Sequence, residues 1–554
     1  MNSIWNKNFS LFSKRFPQFA EILQKDYNDL IQKYCAEDLV VPFWQINQAK
    51  NGQLFAIENE TRLHSSYNPQ KEAFNAVNTV EVAQKGTTVF YGFGLGYHLV
   101  EWSKIYKNKK LIVIEPDIEH FLAALALTDL SQVFSVENLI FAVNCQCDQV
   151  ILLLENGQKI NIGNCGILDC FFFDIPAFTN HAKKYFEQLK KLVNRNIQKN
   201  QINTATLQKF GKRWCRNSLK NIYQYARHEG IGVFRDKAPD GLPFLIVGAG
   251  PSVKEILPDL QEIKKKCVII CVETVLWAFV KANLEPDFVI LTDPQFWAYK
   301  HIANLQAKNS FLITDISVYH KVFDFNCKDI FLCNSQFPVG NYFERKLDIF
   351  DRLGDLGTGG SVASCAWNFA KFCGAKEIFT AGLDFSFPEK QTHIKGSSSE
   401  QTFHTVSSRI IPAEYQTAKI LFSADTSYEN SFEGTKVLTD SRMKMFAWWF
   451  ESRIANSPEI KNFSLCKKSL KIPGFSYFSL QDFLSKKNVE DKKNEFLSIA
   501  EKNHKTRLNE NIKINMNRIE ETIKTFPNQE FFQEFPFFKK YLKNPLSALD
   551  TFLK

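Results

Sequence analysis

The sequence predicts an α/β protein with three parts: a Rossmann-like N-terminal domain, a central doubly wound α/β domain and a C-terminal helical domain. Two glycine turns and one repetition carry that reading. Leu242–Ser252, LPFLIVGAGPS, is a short apolar run that breaks into a glycine turn, and Val253–Lys265 continues as an amphipathic helix. Thr88–Tyr91 runs into Gly92-Phe-Gly94-Leu-Gly96 and then a helix, the same opening a second time. Between and after them, apolar runs rich in β-branched residues end repeatedly in a polar residue. The expected boundaries are 1–200, 201–430 and 431–554.

The central turn is the first candidate site. Gly248 and Gly250 allow a tight turn and a close backbone approach. Ser252 with Glu255 fits a capping box, which places free N–H groups and a positive dipole end at the turn. Such a turn suits a phosphate, although many βα units carry one without any ligand. The pattern is neither GxGxxG nor a P-loop, since no Lys follows.

Further along, Cys267–Val272 ends in Glu273-Thr274, and Asp287–Thr292 ends in Asp293. Phe311–Thr314 ends in Asp315, and Asp329–Cys333 in Asn334-Ser335. In an open parallel sheet these polar ends share one rim, where ligands bind. A second nest, Gly357-Thr358-Gly359-Gly360-Ser361, opens a helix of small residues at Ala363, Ser364 and Ala366. Glu377–Ala381 is the next strand, with Asp384 on the rim. The polar, Ser-rich loop that follows holds His393 and His404; His393 is a candidate general base.

In the N-terminal part, residues 1–35 read as amphipathic helix broken at Pro17, followed by small strands at Leu39–Trp44 and Leu54–Glu58. Leu111–Ile114 ends in Glu115-Pro116-Asp117, an acid at the distance from Gly92 that a ribose-binding carboxylate takes. Leu139–Val143 and Phe171–Asp174 extend the sheet pattern. Lys183–Ala226 is a helical connector whose basic middle reads as a solvated face. After 431 come a helix over Asp440–Ala455, an extended piece near Leu470–Phe475, a Lys/Glu/Asn-rich helical stretch and the Phe-dense Glu530–Leu542, which packs internally or grips another protein.

Composition narrows the function. A 45% hydrophobic and 23% charged chain is globular, and a net charge of +9 over 554 residues is too modest for dedicated nucleic-acid binding. No run of about 20 uninterrupted apolar residues offers a membrane span. The N-terminus has no signal-peptide pattern. Thirteen Cys without framework or zinc spacing fit buried thiols in a reducing cytoplasm.

Read together, LPFLIVGAGPSVKE, LEPDFVILTDPQ, GTGGSVASCAWNFAKFCGAKEIFTAGLDFSF and KQTHIKG resemble the motility-associated factor (Maf) family of bacterial flagellin glycosyltransferases. SSYNPQKEA at Ser65–Ala73 and FGKRWCRN at Phe210–Asn217 resemble that family's N-terminal and linker signatures, so the likeness extends over about 40 to 480. The central domain is also similar to bacterial CMP-sialic-acid-dependent sialyltransferases. Its module is shared with archaeal hydroxymethylpterin pyrophosphokinases.

The resemblance implies transfer of a pseudaminic- or legionaminic-type nonulosonic acid from its CMP-activated form to Ser or Thr of flagellin in the cytoplasm, in support of flagellum assembly and motility. Gly248, Gly250, Pro251 and Ser252 would cradle the CMP phosphate and ribose. Thr358, Gly359, Gly360 and Ser361 would hold the cytidine or the sugar carboxylate. Glu273, Thr274 and Asp293 complete the expected donor site, and His393 with Asp384 the catalytic one. No cofactor is expected beyond the donor substrate; with no DxD motif, Mg²⁺ would sit at Asp293 if anywhere. Two positions depart from the family pattern: Glu273 where an Asp is expected, and Gln391 in the lead-in to Thr392-His393. Two other readings are a hydroxymethylpterin-type pyrophosphokinase and a non-catalytic flagellin-binding protein. The C-terminal domain is the expected acceptor-protein surface.

Overall fold

The protein is described here from a computed structural model that covers residues 2–155, 166–357, 359–505, 510–535 and 538–539. The chain forms two compact units, Met1–Ala205 and Thr206–Lys554.

The first unit opens with three helices, Ser3–Arg15, Pro17–Asp26 and Asn28–Tyr34. Pro17 starts the second one, because a Pro at the first helical position loses no hydrogen bond. A small antiparallel sheet of β1 (Gln45–Gln48), β2 (Leu54–Glu58) and β3 (Thr61–Arg62) follows. The expected strand at Leu39–Trp44 therefore lies a few residues later. Next come β4 (Thr87–Tyr91), β5 (Lys110–Glu115), β6 (Asn138–Val143) and β7 (Cys170–Asp174), which form a parallel sheet in the order β6-β5-β4-β7. Its hydrophobic side is built largely of rings: Phe12, Phe90, Phe93 and Phe121 are fully buried.

The second unit is a nine-stranded parallel sheet. Its strands are β8 (Glu229–Gly230), β9 (Phe244–Val247), β10 (Val268–Val272), β11 (Phe288–Leu291), β12 (Ala307–Thr314), β13 (Cys327–Leu332) and β14 (Glu377–Ala381). Beyond a hairpin of β15 (Thr426–Asn430) and β16 (Lys436–Asp440), β17 (Lys461–Ser464) and β18 (Phe475–Tyr477) complete it. The order is β18-β17-β14-β9-β10-β11-β12-β13-β8. Every residue of β9, β10 and β11 is buried, as unbroken apolar runs covered on both faces must be. From β9 the chain winds outward through β10 to β13, then crosses to the other side of β9 with β14. The switch point, where such sheets open a crevice, is the β9/β14 pair.

The expectation of a separate domain from 431 is corrected here. β17 pairs with β14 and β18 with β17, and Phe496 and Ala500 of the helix Glu490–Lys505 are fully buried in the same core as Phe244 and Phe288. The physical reason is that β14 would otherwise be an apolar edge strand. The Phe-dense tail packs internally where it is described. Phe526, Phe531, Phe535 and Phe538 are buried; Phe526 packs against Tyr342 and Phe343, Phe531 against Tyr342, and Phe535 and Phe538 against Phe531. Among the described residues no helix is long and apolar enough to cross a membrane, and every described Cys is a free thiol.

Candidate functional site

The turn after β9 sits in the switch-point crevice, and the protein fills that crevice itself. Gly248 N–H donates to Ala381 O at 2.8 Å and Gly250 N–H to Gly382 O at 2.8 Å. The Ser252 amide donates to Asp384 Oδ2 at 3.0 Å, Ser469 Oγ donates to Asp384 Oδ1 at 2.7 Å, and the Gly382 amide donates to Ser252 Oγ at 3.1 Å. Asp384 is 3% exposed, and burial raises its carboxyl above the usual range. A side chain at position 250 would run into that carboxylate, so glycine is required by an internal contact. The anion at this turn is thus Asp384, bound to the Ser252 amide expected to meet phosphate.

The predicted helix over 253–265 also differs. Pro251–Glu255 and Leu257–Asp259 are 3₁₀ turns, and only Leu260–Lys264 is α-helical. The Ser252–Glu255 capping box is not made, because the Ser252 hydroxyl is taken by Gly382. Pro258 interrupts the segment and favours the tighter turns.

The open part of the rim lies over β10 to β13. Glu273 begins a 3₁₀ turn that also holds half-buried Thr274. The Glu273 side chain is buried and its Oε2 has no partner. Burial, with the Asp293 carboxylate nearby as a lesser cause, pushes its carboxyl up to about 8. Burial raises Asp293 as well, against the amide and side chain of Gln295, which donate to it at 2.8 and 3.3 Å. Asp315 is buried against the amide and hydroxyl of Ser317 and is pushed up to about 6 by burial. Asn334 is 2% exposed with neither side-chain atom partnered.

The loop after β14 folds back onto the turn: the Ile394 amide donates to Ala249 O at 2.9 Å. That bond brings the backbone next to His393 up to the turn. His393 Nδ1 is buried without a partner, and burial lowers the imidazole pKa, so the ring is neutral near pH 7. Burial likewise lowers His301 to about 4, with His393 close enough to contribute. His301 Nδ1 bonds Ser398 Oγ. His404 lies apart, exposed on the helix Ser398–Thr405. The segment read as loop therefore contains that helix and a second, Ala413–Leu421.

The second glycine nest opens the helix Val362–Phe372. Ser361 is its N-cap, accepting from the Ala363 amide at 3.3 Å, so its oxygen serves the helix. Gly360 has φ +75°, which disfavours any side chain, and lies against Phe446; Gly359 lies against Ser364 and Trp449, which leave no room there for a side chain. Trp449 Nε1 is buried without a partner. Cys365 links this loop to the rim, with its thiol 3.8 Å from Gly357 O and 3.6 Å from Thr292 Oγ1. Thr358 lies outside the described residues.

Two features escape sequence reading. The connector helix, Lys183–Asn221, is not merely solvated at its end. Asn217 Nδ2 donates to Pro294 O at 3.0 Å and Ser317 O at 2.8 Å, and Asn221 Nδ2 to Ile316 O at 3.0 Å and Val318 O at 2.8 Å. It pins the loops after β11 and β12. The i, i+4 spacing of the two Asn was the available signal. Trp277 and Trp449, both with buried unpartnered Nε1 atoms, had no signal beyond residue type.

In the first unit the Gly92–Gly96 turn is also filled from within. Gly92 meets the Phe178 backbone and Gly94 its ring, at φ +82° and +53°. Glu115 accepts from the amides of Phe93 at 3.2 Å and Asp117 at 3.0 Å. The carboxylate expected on a ribose thus orders its own loop.

Residues 43–138 match the family model of the glycosyltransferase Maf N-terminal domain, and residues 216–390 match that of the 6-hydroxymethylpterin diphosphokinase MptE-like proteins. Among curated proteins, an uncharacterized protein of Treponema pallidum (strain Nichols) is 33% identical over 35% of this chain and 56% of its own length. A second from the same organism is 28% identical over 47% of this chain and 85% of its own. The chain thus spans just over half the length of the first relative. The solved structure of a MAf glycosyltransferase from Magnetospirillum magneticum AMB-1 superposes with a TM-score of 0.60 over 90% of this chain and 78% of that one. At 15% identity the likeness is one of fold.

Proposed function

We propose that the chain is a glycosyltransferase of the Maf type, a reading supported by the match of residues 43–138 to the Maf N-terminal domain and by the likeness in fold to a MAf glycosyltransferase. Its donor would be a CMP-activated nonulosonic acid of the pseudaminic or legionaminic type. Its acceptor would be a Ser or Thr hydroxyl of flagellin in the cytoplasm. The observation that carries the reading is the set of buried, unpartnered polar atoms along one rim: Glu273 Oε2, both Asn334 side-chain atoms, His393 Nδ1 and Trp449 Nε1. Each buried polar atom left unbonded costs about 1–3 kcal/mol, a cost that a polyhydroxylated, charged ligand would remove.

In the transfer the acceptor oxygen bonds the anomeric carbon as the bond from that carbon to the phosphate oxygen breaks. CMP leaves with the electron pair and the hydroxyl proton goes to a base. His393, neutral near pH 7, is that base in this reading. The transition state is oxocarbenium-like, so positioning matters more than covalent chemistry. Glu273, protonated at neutral pH, offers a donor hydrogen to the ribose, with Asp293 and Thr274 beside it. Gly359, Gly360 and Ser361 wall the cytidine or sugar-carboxylate end. Gly248, Gly250 and Pro251 form the floor next to His393, and Asp384 acts by holding Ser252 there.

The test mixes the purified protein with CMP-activated nonulosonic acid and flagellin, with and without EDTA, and weighs the flagellin by mass spectrometry. A gain of one or more sugar residues is expected; binding of flagellin without any gain would leave a non-catalytic flagellin-binding protein. The match over 216–390 and the Glu273–Asp293 acid pair favour one second reading, a pyrophosphokinase. Two adjacent carboxylates suit Mg²⁺, which would neutralise nucleotide phosphates there. AMP release from ATP with a hydroxymethylpterin acceptor, abolished by EDTA, would identify that activity.

A further inference from the structure

We propose that the first unit holds a structural divalent metal site of the zinc class, formed by Glu58, His120 and His181, with Glu115 as the carboxylate that orients His181. The three come together from three separate elements: Glu58 ends β2, His120 lies on the helix Ile118–Leu127, and His181 lies on the 3₁₀ turn Asn180–Ala182. One ligand atom from each lies within 4.8 Å of the others. His120 Nε2 is 2.9 Å from Glu58 Oε1, and His181 Nε2 is 2.8 Å from Glu115 Oε1. An ion placed among Glu58, His120 and His181 would take one bond from each of the three, in place of the His120–Glu58 hydrogen bond. Two imidazole nitrogens and a carboxylate oxygen are a zinc donor set.

Charge points the same way. Glu58 and Glu115 are 7% and 1% exposed, and Asp117 Oδ2 lies 3.3 Å from His120 Nδ1. Among the described residues, the ion pairs of these three carboxylates are to the two histidines. The two rings are stacked, with centroids 4.0 Å apart and planes at 15°. Three carboxylates thus gather around two imidazoles, and a divalent cation held there would balance their charge.

The surroundings are those of an oriented site. Trp44 Nε1 donates to the other oxygen of Glu58 at 3.1 Å, Asp117 faces the free nitrogen of His120, and Phe43 stacks on the His120 ring at 4.1 Å. The site also ties β2 to the carboxyl end of β5.

The full-length protein, stripped with a chelator, is titrated with Zn²⁺ against a chromophoric competitor and with Co²⁺ followed by visible absorption. One equivalent should bind, with the intense bands of tetrahedral Co²⁺, and Zn²⁺ should raise the melting temperature. H181Q should weaken binding at least 100-fold, and E115Q and D117N at least tenfold. The double variant C145S/C147S should bind as the parent does. Circular dichroism of stripped H181Q establishes its folding; should it fail, E58Q serves the same comparison. Absence of stoichiometric binding, binding unchanged in a folded ligand variant, or binding lost in C145S/C147S would overturn the proposal.

Discussion

At the scale of single residues, His393 and Glu273 carry the strongest expectations. H393A should lower transfer by about 10²–10⁴-fold, the usual contribution of a general base, while CMP binding by calorimetry stays within a few-fold of the parent. Normal turnover would remove His393 from the mechanism. Glu273 makes a pH prediction. Its folded-state carboxyl is raised to about 8, so the native state binds the proton more tightly than the unfolded chain does. Stability from this group is therefore full below the ordinary carboxyl range and is lost as pH rises through about 8. E273Q escapes that loss. The parent should fall relative to E273Q by up to about 1.4 kcal/mol per pH unit across the window, read from denaturant midpoints at pH 5 to 8. Parallel pH profiles would show that the carboxyl is not raised.

At the scale of elements, the rim is assembled by contacts between distant segments. The connector helix sets the loops after β11 and β12 through Asn217 and Asn221. N217A leaves the carbonyls of Pro294 and Ser317 without that donor. It should cost about 1–3 kcal/mol of stability and raise the donor KM more than it lowers kcat. Steady-state kinetics with the donor varied would check this, and an unchanged KM would mean that the loops hold their place alone. The same scale explains the GAGPS turn. Its glycines are visible in the chain, yet whether a glycine turn meets a ligand or a neighbouring strand depends on what lies across it. Here Gly382 and Asp384, 130 and 132 residues from Ser252, lie across it.

At the scale of the whole molecule, the second unit does not end where its Maf-like motifs do. Because β17 and β18 extend the sheet and Phe496 fills its core, a chain cut after 430 exposes β14 and leaves a cavity beneath Phe244 and Phe288. The 1–430 fragment should lose the cooperative unfolding transition of the second unit and become insoluble, as followed by calorimetry and sedimentation. A fragment with parent-like unfolding would restore an independent C-terminal domain.

The chain by itself determined the local order of strands and helices, because the apolar run, the polar end and the small residues of each βα unit are adjacent in sequence. β14 at Glu377–Ala381 coincides with its predicted range, and most other central strands lie within a few residues of theirs. It also placed Glu273, Asp293 and His393 at strand ends or in the loop beyond them. Only the tertiary structure decided which polar atoms are already bonded. Ser252, Ser361, Asp384 and Glu115 are spent on the protein's own backbone and side chains, whereas Glu273, Asn334 and His393 retain unbonded atoms. Local patterning sets which residue types face a rim. Hydrogen-bond satisfaction there is decided by partners that sequence distance hides.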